Sequence, residues 1–102
     1  MSGNIQLNYL YRDASNYKQY GSVVFSNDSN IAIDVISNSI TRNLIDGEYF
    51  IAEEWKMPTL YFEDKNEDDH QWHEFESLEL TNTEVCSSDI DVLLKTILAV
   101  RV

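Results

Sequence analysis

The run Glu67-Asp68-Asp69-His70-Gln71-Trp72-His73-Glu74 sets both histidines of the chain beside four carboxylates, the side chains that hold zinc in tetrahedral geometry. Two histidines three residues apart chelate one ion from a single helical turn, whereas on a strand such positions point to opposite faces. The alternation around Trp72 reads as a strand, so His70 and His73 are expected to be satisfied side chains at the end of a charged loop. The alternative is a helical segment whose His70 and His73 hold a metal, or serve a small enzyme together with adjacent acids. Calcium lacks support, because no glycine between Glu63 and Glu76 provides the sharp central turn of a calcium loop.

A second cluster comprises Tyr9, Tyr11, Arg12, Asp13, Tyr17, Lys18 and Tyr20. Two cations among four tyrosines suit a phosphate or a planar ligand. Alternate tyrosines on a strand are also ordinary packing residues, and Arg12 with Asp13 makes an end-of-strand ion pair; this plainer reading is preferred. No serine sits in a glycine-flanked elbow, and Gly3, Gly21 and Gly47 are too scattered to cradle a phosphate. No catalytic residue and no cofactor is therefore assigned.

Charge is more informative. Eighteen acids against seven bases give a net charge of −11, and thirteen of those acids with only Lys56 and Lys65 stand between Asp46 and Glu84, so the flanking parts are neutral. That balance excludes an unassisted nucleic-acid binder and an anionic membrane surface, both of which need clustered Lys and Arg. An acidic surface serves solubility in any case. Its functional counterpart is a patch for a basic protein such as a nuclease or toxin. Glu63, Asp64, Glu67, Asp68, Asp69, Glu74 and Glu76 would meet Lys and Arg rows, with Trp55 and Trp72 as exposed aromatic anchors.

These residues must be positioned by a single domain over residues 1–102, the size that 11.8 kDa supports. Ile5, Leu7, Tyr9 and Tyr11 alternate as a first strand, and Gly21 opens a second at Ser22 to Phe25. Asn27 to Asn30 offer capping oxygens for a helix from Ile31 to Leu44, with Ile33, Ile36, Ile40 and Leu44 as its stripe and Asp46-Gly47 as its end. Glu48 to Ala52 and Thr59 to Phe62 read as the third and fourth strands around a loop at Trp55 to Pro58. Glu63 to Asp69 form an acidic loop, and His70 to Leu80 form a fifth strand with no wholly apolar face. Ser88 and Asp91 suggest a cap for a last helix striped by Ile90, Leu93, Leu94, Ile97 and Leu98. The fold expected is α+β: an antiparallel sheet of about five strands with two helices packed on one face.

The phrases from Tyr9 to Gly21, Asp46 to Ile51 and Asp68 to Phe75 resemble small acidic bacterial proteins of no known activity, over about residues 7 to 80. The resemblance implies a bacterial or phage setting and a stand-alone domain, and it transfers no catalytic residue. Lone Cys86 is expected to be an inert small hydrophobe in a reducing compartment. With no signal peptide or membrane span in the sequence, the expected location is the cytoplasm. The chain is accordingly read as a non-enzymatic, acidic inhibitor or neutraliser, antitoxin-like, immunity-like or opposing a host defence. A structural homodimer joined across a strand edge is the remaining alternative.

Overall fold

The computed structural model describes residues 3–12, 17–60, 72–85 and 87–101. In chain order the elements are β1 (Asn4–Arg12), β2 (Lys18–Phe25), α1 (Ile33–Arg42), β3 (Tyr49–Ile51), β4 (Trp72–Thr81) and α2 (Ile90–Arg101). The class is α+β, and the strands form one antiparallel sheet in the order β2-β1-β4-β3. Four strands, not five, occur among the described residues. Of the expected fourth strand, Thr59 and Leu60 lie outside any strand, and Tyr61 and Phe62 fall outside the described residues.

β1 behaves as its alternation predicts. Ile5, Leu7, Tyr9 and Tyr11 are buried, and the first three join the core with Val23 and Phe25 of β2, Ile36 and Ile40 of α1, and Ile90, Leu93 and Ile97 of α2. β2 begins earlier than expected, because the ladder continues outward through Tyr11–Gln19 and Arg12–Lys18. β4 departs from simple alternation. Asn8 pairs with Ser77 but Tyr9 pairs with Phe75, so Glu76 is an extra residue in the strand. One inserted residue reverses the facing of all that follow. His73 and Phe75 before the bulge thereby share the inner side with Leu78 after it, which is why neither face of this segment reads as apolar in the sequence.

The two helices are anchored differently. α1 is shorter than expected, and its N-cap position is Ala32, which makes no side-chain cap. Asn27 instead ties the preceding loop. Its Oδ1 accepts from the Ile31 amide and its Nδ2 donates to the Ile31 carbonyl, both at 2.9 Å. Asp46-Gly47 does not end α1, whose C-cap is Asn43. With φ values of 55° and 73°, and the Glu48 amide donating to the Ile45 carbonyl at 3.0 Å, it forms a mirror-image tight turn that sends the chain into β3.

α2 is capped by Asp89 rather than Ser88. Asp89 Oδ1 accepts from Ser26 Oγ and the Asp28 amide, both at 2.9 Å, and Oδ2 accepts from the Asp91 amide at 3.0 Å. The Ile90 amide donates to the Ser26 carbonyl at 2.8 Å, so the end of β2 and the start of α2 are clamped together. The Asp28 amide, followed by the Asp91 amide and the Ser26 hydroxyl, holds the Asp89 carboxyl below its ordinary value, against opposing desolvation.

Because the folded form binds the Asp89 proton less tightly than the unfolded chain, this contribution is complete above the ordinary carboxylate range. It fades as pH falls through and below 3.8. Asp89→Ala should cost about 1–2 kcal/mol in denaturant unfolding at neutral pH. Asp89→Asn should remove part of the acid-dependent stability loss, seen as a flatter melting temperature between about pH 5 and pH 2.

Candidate functional site

Of the acids, histidines and tryptophans singled out in the sequence, Trp55, Trp72, His73, Glu74 and Glu76 fall among the described residues, and they divide between the core and the outer side of the sheet. Glu63, Asp64, Glu67, Asp68, Asp69 and His70 lie outside the described residues, as do Asp13 and Cys86. Trp55, expected as an exposed anchor, is 4% exposed and belongs to the core. Its indole stacks on Phe50 with ring centroids 4.4 Å apart and planes inclined by 16°. A tight turn delivers it there. The Met57 amide donates to the Ala52 carbonyl at 2.9 Å and the Lys56 amide to the Glu53 carbonyl at 3.2 Å, with Lys56 at a φ of 60°. This is the left-handed closure usually made by glycine, and it drives Ala52, Trp55 and Met57 inward together.

His73 is fully buried between Tyr9, Tyr11 and Phe50, with ring centroids 5.2 to 5.9 Å away. Its Nε2 accepts a hydrogen bond from the Leu60 amide at 3.0 Å, so that nitrogen's lone pair is already engaged. The histidine therefore fastens the segment after β3 across the sheet. Tyr9 assists by donating its hydroxyl proton to the Pro58 carbonyl at 2.6 Å, and Gly21 leaves room for Leu60. Among the described residues no three His, Cys, Asp or Glu side chains gather as a metal site.

The outward side of the same strands carries the polar chemistry. Trp72 is 38% exposed and stacks on Tyr49, with centroids 5.2 Å apart and planes inclined by 29°. Opposite Tyr49 on β4 stands Glu74, also adjacent to Leu10 of β1. The Arg12 guanidinium grips Glu74 with two bonds, Nε to Oε2 at 2.9 Å and Nη2 to Oε1 at 3.3 Å. Glu74 is thus compensated within the molecule. Glu76 is exposed at the bulge and, with Asn8, Tyr20 and Ser22, lines an open cleft of about 300 Å³.

Tyr49 reports the local field. Its phenol is held above the ordinary value of 10.0, first by the charge of Glu48, then by desolvation and by Glu74, with Arg12 opposing. Negative potential therefore prevails at this edge despite the cation. Sequence reading missed Tyr49 and Glu48 as members of this surface, although it singled out Tyr20 with Arg12. The only available signal was the alternation of Tyr49 and Ile51 outward around buried Phe50.

Comparison of the chain with models of known families, with curated proteins and with solved structures returns no match. Among the described residues no helix is long and apolar enough to cross a membrane.

A Cβ on Gly21 would lie 2.8 Å from Leu60 Cδ2 and 3.0 Å from its Cδ1. Gly21→Ala should cost little, since these methyls can turn aside. Gly21→Val should displace Leu60, lengthen its bond to His73 and destabilise the protein by about 1–3 kcal/mol in denaturant unfolding. Glu48→Gln should bring the Tyr49 phenol titration down toward 10.0, measurable by NMR of the ring carbon.

Proposed function

We propose that this chain is a small non-enzymatic module that occupies a basic surface on another protein, as an inhibitor or neutraliser of a nuclease-like or toxin-like partner. The observation that carries the reading is the outward edge where Trp72 stacks on Tyr49 beside Glu48 and Glu74, with Glu76 further along β4. A guanidinium or ammonium approaching this edge meets carboxylates as counter-ions and an aromatic face that attracts cations. Arg12 provides the chemical precedent, since Glu74 already holds its guanidinium by two bonds. Glu63, Asp64, Glu67, Asp68 and Asp69, which precede β4 in sequence, are proposed as further acids that meet the partner's cations. Trp55 is not, because it is core.

The reading takes both helices to lie on the core side of the sheet, which leaves the opposite face to the partner. It places the protein in the cytoplasm of a bacterial or phage-infected cell, where a lone cysteine stays reduced. Charge would act mainly on the association rate, steering a cationic partner to the acidic region, while Trp72 limits dissociation.

A nona-arginine peptide titrated against tryptophan fluorescence provides the test. Affinity should fall at least about tenfold as salt rises from about 50 to about 500 mM. Trp72→Phe should remove the fluorescence response. The double change Glu48→Gln with Glu76→Gln should weaken binding several-fold, whereas the charge-matched Asp28→Asn with Asp34→Asn should leave it nearly unaltered. Equal losses from both doubles, or affinity indifferent to salt, would refute a localised acidic contact. A basic protein captured from the native host should show the same ordering of variants.

A further inference from the structure

We infer that the outer edge of β2 accepts an extended basic segment of another polypeptide as an added strand, with an arginine or lysine of that segment lying over the cleft at Glu76. The preference for a basic segment rests on the function proposed above, whereas the edge does not. Backbone direction fixes where the strand adds, because successive residues of a strand turn their amides and carbonyls to opposite sides. The Phe75 amide donates to the Glu48 carbonyl, so Phe75 faces β3 and Glu74 faces β1 at Leu10. Leu10 is thereby committed to β4, and its neighbours Tyr9 and Tyr11 to β2 at Gly21 and Gln19. Tyr20 and Ser22 therefore turn their amides and carbonyls away from the sheet. Ser26, of the same parity, agrees: its amide donates to the Ser88 carbonyl at 3.3 Å and its carbonyl accepts from the Ile90 amide at 2.8 Å, as a parallel bridge to Asp89. One end of this edge thus already carries a backbone.

The rest of the edge is open. Val23, Val24 and Phe25 are buried, but Lys18, Gln19, Tyr20 and Ser22 are exposed. The usual guards of an edge strand are missing as well, since β2 runs eight residues without proline, pairs with β1 without a register shift and carries Lys18 as its only charge. Outward amides and carbonyls at alternate positions are complementary to an extended backbone, and side-chain pockets beside them supply selectivity. Tyr20 and Ser22 themselves line the cleft of about 300 Å³ that Asn8 and Glu76 complete. A strand added to β2 lies about 4.8 Å from it, which brings a long side chain over this cleft. Glu74 is held by Arg12, but no cation pairs with Glu76 among the described residues. A guanidinium or ammonium supplies that counter-ion, and a net charge of −11 draws a basic segment toward the molecule while opposing a second copy.

An octapeptide of alternating arginine and threonine, added to the full chain, tests both parts. By NMR-detected hydrogen exchange, the Tyr20 and Ser22 amides of the free protein should exchange at least about tenfold faster than those of Gly21 and Val23, and saturating peptide should slow them at least about tenfold. A strand docks by one edge only, so N-methylation of one alternate set of peptide amides should abolish binding while methylation of the other set spares it. A purely electrostatic contact tolerates both sets equally. Ser22→Pro removes an outward amide and no ladder bond, and should weaken the peptide at least about tenfold with circular dichroism preserved. Should that variant fail to fold, the exchange and methylation results still decide. Replacing arginine by citrulline should weaken binding several-fold, and by less in Glu76→Gln. Equal tolerance of both methylated sets, undiminished affinity in folded Ser22→Pro, or protection of the Tyr20 and Ser22 amides before peptide is added, as a second copy on the edge would give, overturns the strand and leaves the acidic contact standing. Equal affinity for the arginine and citrulline peptides overturns the basic preference, and with it the acidic contact.

Discussion

One inserted residue decides what β4 can do. The strand must cover the core with His73, Phe75 and Leu78, which no uninterrupted alternation permits because Phe75 and Leu78 are an odd number of residues apart. Glu76 absorbs the mismatch, allowing Tyr9 to face Phe75 and Leu7 to face Leu78. A one-residue slip moves every side chain to the other face, so the bulge determines the interior and the exterior together. Inside, His73 reaches the Leu60 amide and completes the ring cluster with Tyr9, Tyr11 and Phe50. Outside, Trp72 and Glu74 are presented beside Tyr49. The outer patch exists in its present form because the inner cluster is satisfied.

Features governed by local pattern were legible in the sequence. β1 alternates from Asn4 to Tyr9 before Leu10 joins Tyr9 and Tyr11 in being buried, and Ile36 with Ile40, and Ile90 with Leu93 and Ile97, occupy the core positions their spacing implies. What escaped depends on partners distant in the chain. Asp89 looks like one of several polar residues before a helix, and only the return of Ser26 and Asp28 to its carboxylate makes it the cap. Trp55 sits in a polar stretch, and the left-handed residue that turns it inward is Lys56, a type that gives no such signal. Arg12 also grips an acid 62 positions away, a partner that no local pattern announces. Asp46-Gly47 reads in the sequence as the end of a helix, but its two positive φ values turn the chain into a strand instead.

The sequence-level charge asymmetry acquires a finer grain in three dimensions. Glu74 is neutralised by Arg12, while Tyr49 still experiences a net negative field because Glu48 dominates it. Acidity at this edge is therefore moderated rather than uniform. Charge and exposed apolar surface are also separated. The helices carry Val35, Val92 and Leu98 in water with almost no net charge, whereas the acids cluster in the stretch between them.

The position of β1 bears on how the chain is made. It precedes the other strands of the sheet in the chain and is an inner member, joined on one side to neighbouring β2 and on the other to β4, with Asn4 opposite Thr81. The clamp from Ser26 to Asp89 adds a second closure of similar span. On the ribosome, the β1–β2 hairpin can form early but keeps an open flank until β4 has emerged. α2 cannot be clamped at its start before that moment. Completion of this sheet thus waits until β4 and the start of α2 have emerged, and a nascent chain stalled before β4 would display an apolar strand with an unsatisfied ladder to whatever chaperone or neighbouring polypeptide meets it first.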